Sequence, residues 1–363
     1  MAADDWNFMA GRIIGDGTID VVETDLPINI TGLERNLSTP SAMTGSIENG
    51  VRRLKANGRP IFEPWNTVII AEAAGQIRGM TIYRKPTFTG ANWDLDQIGL
   101  SGYALGMPFM GEFQYIYQDP FNIFRDIWWD LQKQPRGNLG ITIDDDFCPV
   151  RLGTPPVEGD SESGPYTLAW WEAKDCGAEI DKLAKETPFD WREDVFWKEN
   201  GAPGCHISLG YPQIGARDDE HFFALDVNLA GVPSITEGEY ANETVVLGAG
   251  EGRDRVRGYA GVNDNKLRRA RVVDDKGVPN LASADARARD ELGMTRGDLV
   301  VDQITVFNHP NAPLEAITLG NEYLLVAETD HIDFEGWVRV VGMSQAPQKS
   351  DEATLTIVRQ LAA

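Results

Sequence analysis

Apolar and polar residues alternate in short runs over the first 118 residues, which is the pattern of β-strands joined by tight turns. The stretch RIIGDGTIDVVE (12–23) predicts a hairpin in which Asp16-Gly17 forms a two-residue turn and Ile14 pairs with Ile19. The stretch NTVIIAEAAGQIRGMTIYRKP (66–86) predicts a second hairpin. Strands so closely and regularly spaced indicate a β-barrel or a sandwich.

The hydrophobic period changes after Asp119-Pro120, which has the character of a helix N-cap followed by proline at the first helical position. The apolar residues that follow recur at helical spacing: Phe121, Phe124, Trp128 and Leu131. They predict a helix that ends before Pro135. Trp128 lies in the middle of this stripe and is predicted to be core. Trp129, about 100° further around the helix, lies at its border, where we expect it to contact a neighbouring domain or subunit.

A second helix is predicted between Asp175, as its N-cap, and Pro188. Its apolar face comprises Cys176, Ile180, Leu183, Ala184 and Thr187. Strand patterns follow at 189–197 and 206–212, and Ser283 is predicted to cap a short alanine-rich helix. Four more strand patterns close the chain, at 299–307, 322–329, 333–343 and 354–359. The sequence therefore predicts a mainly β fold with α/β insertions, in which helical elements separate two β modules.

The charge of the chain is strongly negative: 56 Asp and Glu against 33 Lys and Arg give −23. Such a surface repels nucleic acid and anionic membranes, so we expect neither as a partner. The N-terminus lacks the basic and apolar segments of a signal peptide, and no 18-residue apolar run predicts a membrane span. Three cysteines without a CxxC spacing are typical of free thiols in a protein made in a reducing cytosol.

One segment departs from this acidic character, and we call residues 253–271 the basic segment. Its cations are Arg253, Arg255, Arg257, Lys266, Arg268, Arg269 and Arg271. Within the segment only Asp254 and Asp264 oppose them. Two interpretations stay open: a solvated hairpin whose arginines pair with local acids, or a contact to an acidic neighbour such as another copy of the chain.

Candidate chemistry is sparse. The four histidines, His206, His221, His309 and His331, have no metal-binding spacing. Cys176 at the start of a helix, with His206 or His221 as its base, would match a cysteine peptidase that cleaves peptidoglycan. Because Cys176 is in phase with the apolar face of its helix, we expect it to be buried instead. We therefore expect no catalytic residue, no cofactor and no metal.

Three stretches together resemble a known family: DPFNIFRDIWWDLQKQPRGNLGITID (119–144), IDKLAKETPFDWREDVFW (180–197) and NEYLLVAETDHIDFEGWVRVVGMS (321–344). They resemble the minor tail proteins that form the tail-tip hub of siphophages infecting actinobacteria. This group is similar to the central hub protein of contractile-phage baseplates. The resemblance extends from about residue 20 to residue 361 and rests on element order and local phrases.

The resemblance implies two β-barrels of the tail-tube kind with inserted helical elements. It places the first barrel at 1–118, the α/β insertions at 119–188 and 225–295, and the second barrel at 189–224 and 296–361. It also implies a homotrimeric ring of pseudo-sixfold symmetry that joins the tail tube protein or distal tail protein, and other minor tail proteins, at the virion tail tip. Synthesis and assembly would take place in the host cytoplasm. Many relatives carry C-terminal peptidase, sugar-binding or fibre domains, whereas this sequence stops at Ala363.

Two rival functions stay open beside a structural tail-tip role. A carbohydrate-binding module would account for ten Trp and nine Tyr in a β-rich acidic chain. A cell-wall hydrolase would use Cys176 or a pair of carboxylates. Under the structural interpretation, the residues expected at a subunit or partner interface are Trp129, Arg253, Arg255, Arg257, Arg268, Arg269 and Arg271.

Overall fold

The computed structural model describes residues 6–156, 164–187, 189–233, 235–237, 240–278, 280–294, 299–329 and 332–359. Pro188, His331 and the first five residues, which figure in the sequence predictions, lie outside these ranges. Three α-helices are described: α1 (Pro120–Lys133), α2 (Cys176–Glu186) and α3 (Leu281–Met294). The predicted fold class is confirmed, because the chain is mainly β with a few inserted helices.

The strands of the first half of the chain are β1 (Asn7–Ile13), β2 (Ile19–Glu23), β3 (Asn29–Asn36), β4 (Thr39–Glu48), β5 (Lys55–Ala56), β6 (Arg59–Pro60), β7 (Thr67–Ala73), β8 (Gln76–Tyr83), β9 (Thr87–Phe88), β10 (Asn92–Asp94), β11 (Gln97–Gly99), β12 (Glu112–Tyr115), β13 (Ile141–Ile143) and β14 (Tyr166–Ala169). Those of the second half are β15 (Asp190–Trp197), β16 (Pro203–Gly210), β17 (Arg217–Ala224), β18 (Ile235–Glu237), β19 (Glu243–Leu247), β20 (Arg257–Gly261), β21 (Ala270–Asp274), β22 (Leu299–Val301), β23 (Gln303–Phe307), β24 (Glu322–Thr329), β25 (Ile332–Gln345) and β26 (Glu352–Arg359).

A five-stranded sheet with the order β11-β8-β7-β1-β2 lies at the centre of the first half. Nearly every residue of β7 is buried, so its sequence is a continuous apolar run rather than an alternating one. Val68 and Ile70 point into the core beneath α1, while Ile69 and Ala71 face the core that contains β3 and β4. This sheet therefore separates two hydrophobic cores.

The first predicted hairpin exists, but its register was wrong. Ile13, rather than Ile14, pairs with Ile19. The turn is longer than two residues because Gly15 and Gly17 both adopt positive φ, at 84° and 96°. A Cβ on Gly15 would come within 3.0 Å of the Arg136 Cα, so the turn also packs closely on the chain that follows α1.

A nine-stranded sheet joins the two ends of the chain. Its main path is β17-β24-β25-β3-β4-β10-β9, with β26 and β23 added beside β25. Strand β3 pairs antiparallel with β25, for example Arg35 with Met343. Strands from the N-terminal and C-terminal parts of the chain thus share one hydrogen-bonded sheet, while the barrel boundaries expected from the resemblance stay a prediction.

Helix α1 forms as its sequence predicts. The Asp119 side chain accepts a hydrogen bond from the Phe121 backbone N–H at 2.8 Å, which satisfies one of the free donors of the first turn. The apolar stripe is buried against α2, β15 and β16 in the largest core of the molecule. Trp128 is 1% exposed, so the core role predicted for it is confirmed.

A small α/β unit, which we call the α3 region, comprises residues 240–278 and 280–294. Its sheet has the order β20-β19-β21, and α3 covers one face. The helix cap predicted at Ser283 was wrong: the Asn280 side chain accepts from the Ser283 backbone N–H at 3.0 Å and takes the capping role. The opposite face of the sheet carries Tyr259 and Val272, and both are exposed.

Candidate interaction surfaces

Trp129 lies on the surface, on the border of α1 where the helical spacing places it. It is 55% exposed. The Lys133 ammonium sits 4.0 Å from the centre of its ring, and the Phe113 ring meets it edge-on with centroids 6.4 Å apart. These contacts fix the indole in one orientation while leaving one side open. Its predicted contact with a neighbour stays a prediction.

Further exposed apolar side chains surround the Phe113 strand. The Trp170 backbone N–H donates to the Gly111 carbonyl at 2.8 Å. This hydrogen bond holds the exposed Trp170-Trp171 pair beside β12. Met110 is also exposed, and its N–H donates to the Asp130 carboxylate of α1 at 2.7 Å. Large exposed apolar clusters of this kind are typical of binding surfaces.

The basic segment lies on the α3 region, and local acids neutralise part of it. Arg255 donates to the Asp274 carboxylate at 3.0 Å and to the Leu247 carbonyl at 2.8 Å. The hydrogen bond from Arg255 lowers the pKa of Asp274 below its ordinary value. At least part of the role of Arg255 is therefore to form contacts within the α3 region.

Two other arginines of the segment are also paired. Arg268 lies 2.6 Å from Glu243, and Arg271 lies 3.5 Å from Glu291. Glu243 and Glu291 are outside the segment in sequence, and only the fold brings them close. Counting acids within the segment alone therefore overestimated its free positive charge.

The possible cysteine nucleophile is buried. Cys176 joins the core beneath α1, and burial, with smaller contributions from the nearby charges of Asp130, Asp175 and Glu179, raises the pKa of its thiol to about 12. Burial thus outweighs any lowering by the helix N-terminus.

Both histidines considered as its base have other partners. His206 contacts Asp144 and Thr142, each at 2.8 Å, and His221 contacts Asp218 at 2.9 Å. In the described parts of the chain, no cluster of His, Cys, Asp or Glu is suited to a metal ion. Within the described residues, neither histidine forms a hydrogen bond with Cys176, so the cysteine–histidine pair considered in the sequence is not assembled.

Sequence reasoning missed one cluster of cations altogether. Arg12, Arg59 and Arg136 line the same cavity, together with Trp65. Because these residues come from three separate segments, no local charge run marks them. The predicted turn at Asp16-Gly17 lies beside this cavity, but nothing in its sequence indicates the arginines around it.

No protein-family model and no curated protein sequence matches this chain. Solved structures do match it. The 43 kDa tail protein of prophage MuSo2 from Shewanella oneidensis aligns over 98% of both chains, with a TM-score of 0.58 at 10% identity. The tail protein from Neisseria meningitidis MC58 aligns over 98% of this chain and 97% of its own, with a TM-score of 0.57 at 11% identity.

A chain of the Francisella PdpA–VgrG complex is also similar, with a TM-score of 0.53 at 10% identity. The alignment covers 99% of the present chain but 58% of that longer one. At such low identity these likenesses concern the fold. The chain therefore has the fold of phage tail proteins, which confirms the resemblance noted in the sequence at that level. No described helix has the length and apolar character needed to cross a membrane.

Proposed function

We propose that the chain is a non-enzymatic structural protein of a phage tail tip, acting as the hub of a siphophage virion. The observation that carries the proposal is the full-length match to two phage tail proteins, which spans 97–98% of their chains. A match of this extent covers the inserted helices as well as the sheets. The burial of Cys176 and the raised pKa of its thiol support a role in which this cysteine is not a catalytic nucleophile.

In this role three copies form a ring of pseudo-sixfold symmetry. The ring joins the tail tube protein or the distal tail protein to the tip, where other minor tail proteins bind. A ring needs a heterologous interface, in which one face of a subunit meets a different face of its neighbour. Since each copy carries a charge of −23, cationic groups must offset the repulsion where the copies touch. The exposed Trp129 and the basic segment are candidates for this interface.

The test is the mass and position of the assembled protein. Native mass spectrometry of the purified chain should show a species of about 120 kDa, three times the 40.1 kDa of one copy. Electron microscopy of tails labelled with an antibody to the chain should place it at the tip. Labelling along the tail shaft or on the capsid would contradict the proposal.

A second function is favoured by one observation, the exposed Trp170-Trp171 pair. Exposed indoles stack on sugar rings, so the tip could also bind host-wall carbohydrate. Binding of a soluble cell-wall glycan that is lost in Trp170→Ala/Trp171→Ala, with assembly intact, would add this function. No change on substitution would leave the pair as a protein contact.

A further inference from the structure

A concave site of about 500 Å³ opens where three segments meet. The segments are the end of β1 with the β1–β2 turn, β6 with the connection to β7, and the turn that follows α1. The lining residues are Arg12, Ile13, Ile14, Gly15, Arg59, Trp65, Asn66 and Arg136. We call this site the arginine pocket.

Hydrogen bonds and close packing hold the walls of the arginine pocket in place. The Arg12 guanidinium donates to the Pro60 carbonyl at 3.1 Å, and the Ile13 N–H donates to the Asn66 carbonyl at 2.9 Å. The β1–β2 turn packs on the third wall, where Gly15 has no room for a side chain beside Arg136. The pocket is therefore built before any ligand arrives.

Two lining residues adopt a backbone conformation that side chains disfavour. Trp65 has φ of 62° and Arg136 has φ of 64°, both in the left-handed region. Residues held in this way often occur at ligand clamps, where the surrounding structure fixes them. Here the strained conformation presents an indole and a guanidinium to the same cavity.

The arginines of the pocket differ from three arginines of the basic segment, which form ion pairs within the fold. Among the residues that the structure describes, no acid lines the pocket and no carboxylate forms an ion pair with Arg12, Arg59 or Arg136. The nearest acids in sequence have other partners: Asp16 accepts from Thr18 at 2.6 Å and Glu63 accepts from Asn66 at 2.7 Å. In a chain with 56 acidic residues, three guanidinium groups that line one cavity with no described carboxylate in its lining point to an external anion.

The lining chemistry specifies the class of ligand. Guanidinium groups bind carboxylates through two parallel hydrogen bonds. Trp65, which is 55% exposed, adds a surface for an aromatic ring. The fitting ligand is an acidic peptide segment that carries an aromatic residue next to its carboxylates.

The chain itself presents such a segment at its surface. Asp145, Asp146 and Phe147 are all solvent-accessible, and Phe147 is 72% exposed. The turn is tied to α1, because Arg125 donates to the carbonyls of Asp144 and Asp146 at 2.6 and 3.0 Å. The carboxylates of Asp145 and Asp146 and the ring of Phe147 are therefore accessible to a partner.

We propose that the arginine pocket of one copy receives the Asp145–Phe147 turn of a second copy. The contact is heterologous, as a closed ring requires, and this inference rests on the self-assembly in the proposed function. Asp145 and Asp146 pair with the guanidinium groups, and the Phe147 ring packs on Trp65.

Charge-reversal variants of the full chain test the contact by native mass spectrometry and sedimentation. Arg59→Glu/Arg136→Glu, and separately Asp145→Arg/Asp146→Arg, should each weaken self-association at least tenfold. The four changes in one chain should recover most of it, because the charges are complementary again. The matched control is Arg53→Glu/Lys55→Glu, which makes the same charge change beside Arg59 but outside the pocket lining and should have no such effect.

A capped peptide of residues 142–149 with Cys148→Ser separates this proposal from the proposed function. Calorimetry should show it binding to the wild-type chain and not to Arg59→Glu/Arg136→Glu, even where the wild type stays monomeric. If neither the Arg59→Glu/Arg136→Glu variant nor the Asp145→Arg/Asp146→Arg variant weakens self-association, the pocket contact is wrong, while the proposed tail-tip role is unaffected. No recovery in the combined variant, or glucuronate binding as tightly as the peptide, would also overturn it.

Discussion

Two units of the molecule pack a capped helix against a sheet: the core beneath α1, and the α3 region. They differ in the size of the side chains that the helix buries. Helix α1 buries three large aromatic side chains, Phe121, Phe124 and Trp128, whereas α3 buries Ala284, Ala288 and Leu292. Because the free energy gained on burial scales with apolar area, the first unit is stabilised far more than the second.

The small side chains of α3 allow a close approach of helix and strand. A Cβ on Gly258 of β20 would come within 2.2 Å of the Ala284 backbone. Such a contact depends on the absence of side chains rather than on their bulk. We infer that the α3 region is only weakly stabilised, and we expect it to unfold locally while the core beneath α1 stays folded.

Trp128→Ala should have the largest effect and should act on the whole molecule. Removing this buried ring leaves a cavity in the main core, and we expect a loss of about 3–5 kcal/mol in the free energy of unfolding. Denaturant unfolding of the monomer measures it. A loss below about 1 kcal/mol would mean that the α1 core tolerates cavities as easily as a surface site does.

Gly258→Val should act on the α3 region alone. The added side chain must displace Ala284, at a cost of about 1–3 kcal/mol, so hydrogen exchange should accelerate in 240–294 and not in α1. Gly231→Ala is the control, since a Cβ there meets nothing within 4 Å. Equal acceleration in both units would show that they unfold together.

The sequence was informative where a pattern is local and failed where the fold combines distant segments. The spacing from Phe121 to Leu131 and the cap at Asp119 predicted α1 because helix periodicity and capping act within a few residues. The pairing of Ile13 with Ile19 depends on the positive φ angles of Gly15 and Gly17. The alternation of apolar and polar residues carries no information about these angles.

The same limit applies to the candidate sites. The basic segment stood out as a run of charge, yet Glu243, Asp274 and Glu291 neutralise part of it from elsewhere in the fold. The arginine pocket is not marked by a run of charge in the sequence, because its three cations are contributed by residues 12, 59 and 136. Whether a charge is paired is a property of the tertiary structure.

Charge reversal within the basic segment should separate Arg255, which pairs with Asp274, from Arg253 and Arg257. Arg255→Glu places a carboxylate beside Asp274, so we expect faster hydrogen exchange in the α3 region. Arg253→Glu/Arg257→Glu should change monomer stability by less than about 0.5 kcal/mol, as surface substitutions usually do. The same double variant should weaken assembly, and wild-type association should fall as salt rises.

Native mass spectra at low and high salt provide the measurement for assembly. If Arg253→Glu/Arg257→Glu assembles as well as the wild type at low salt, the basic segment is a solvated hairpin face and not an interface.

Trp129→Ala should have a far smaller effect on the isolated chain than Trp128→Ala, although it removes the same ring one residue away. The substitution deletes the packing of the indole on the Phe113 edge and on the Lys133 ammonium, which together contribute about 0.5–1 kcal/mol at a half-exposed site. Its effect on assembly should be larger, because an open indole that packs on a neighbouring subunit would leave a gap there. Thermal melts of the monomer and the trimer fraction, measured for both variants, decide the matter. A Trp129 variant that melts below the Trp128 variant would reverse the assignment of the two rings, and with it the contrast between core and surface along α1.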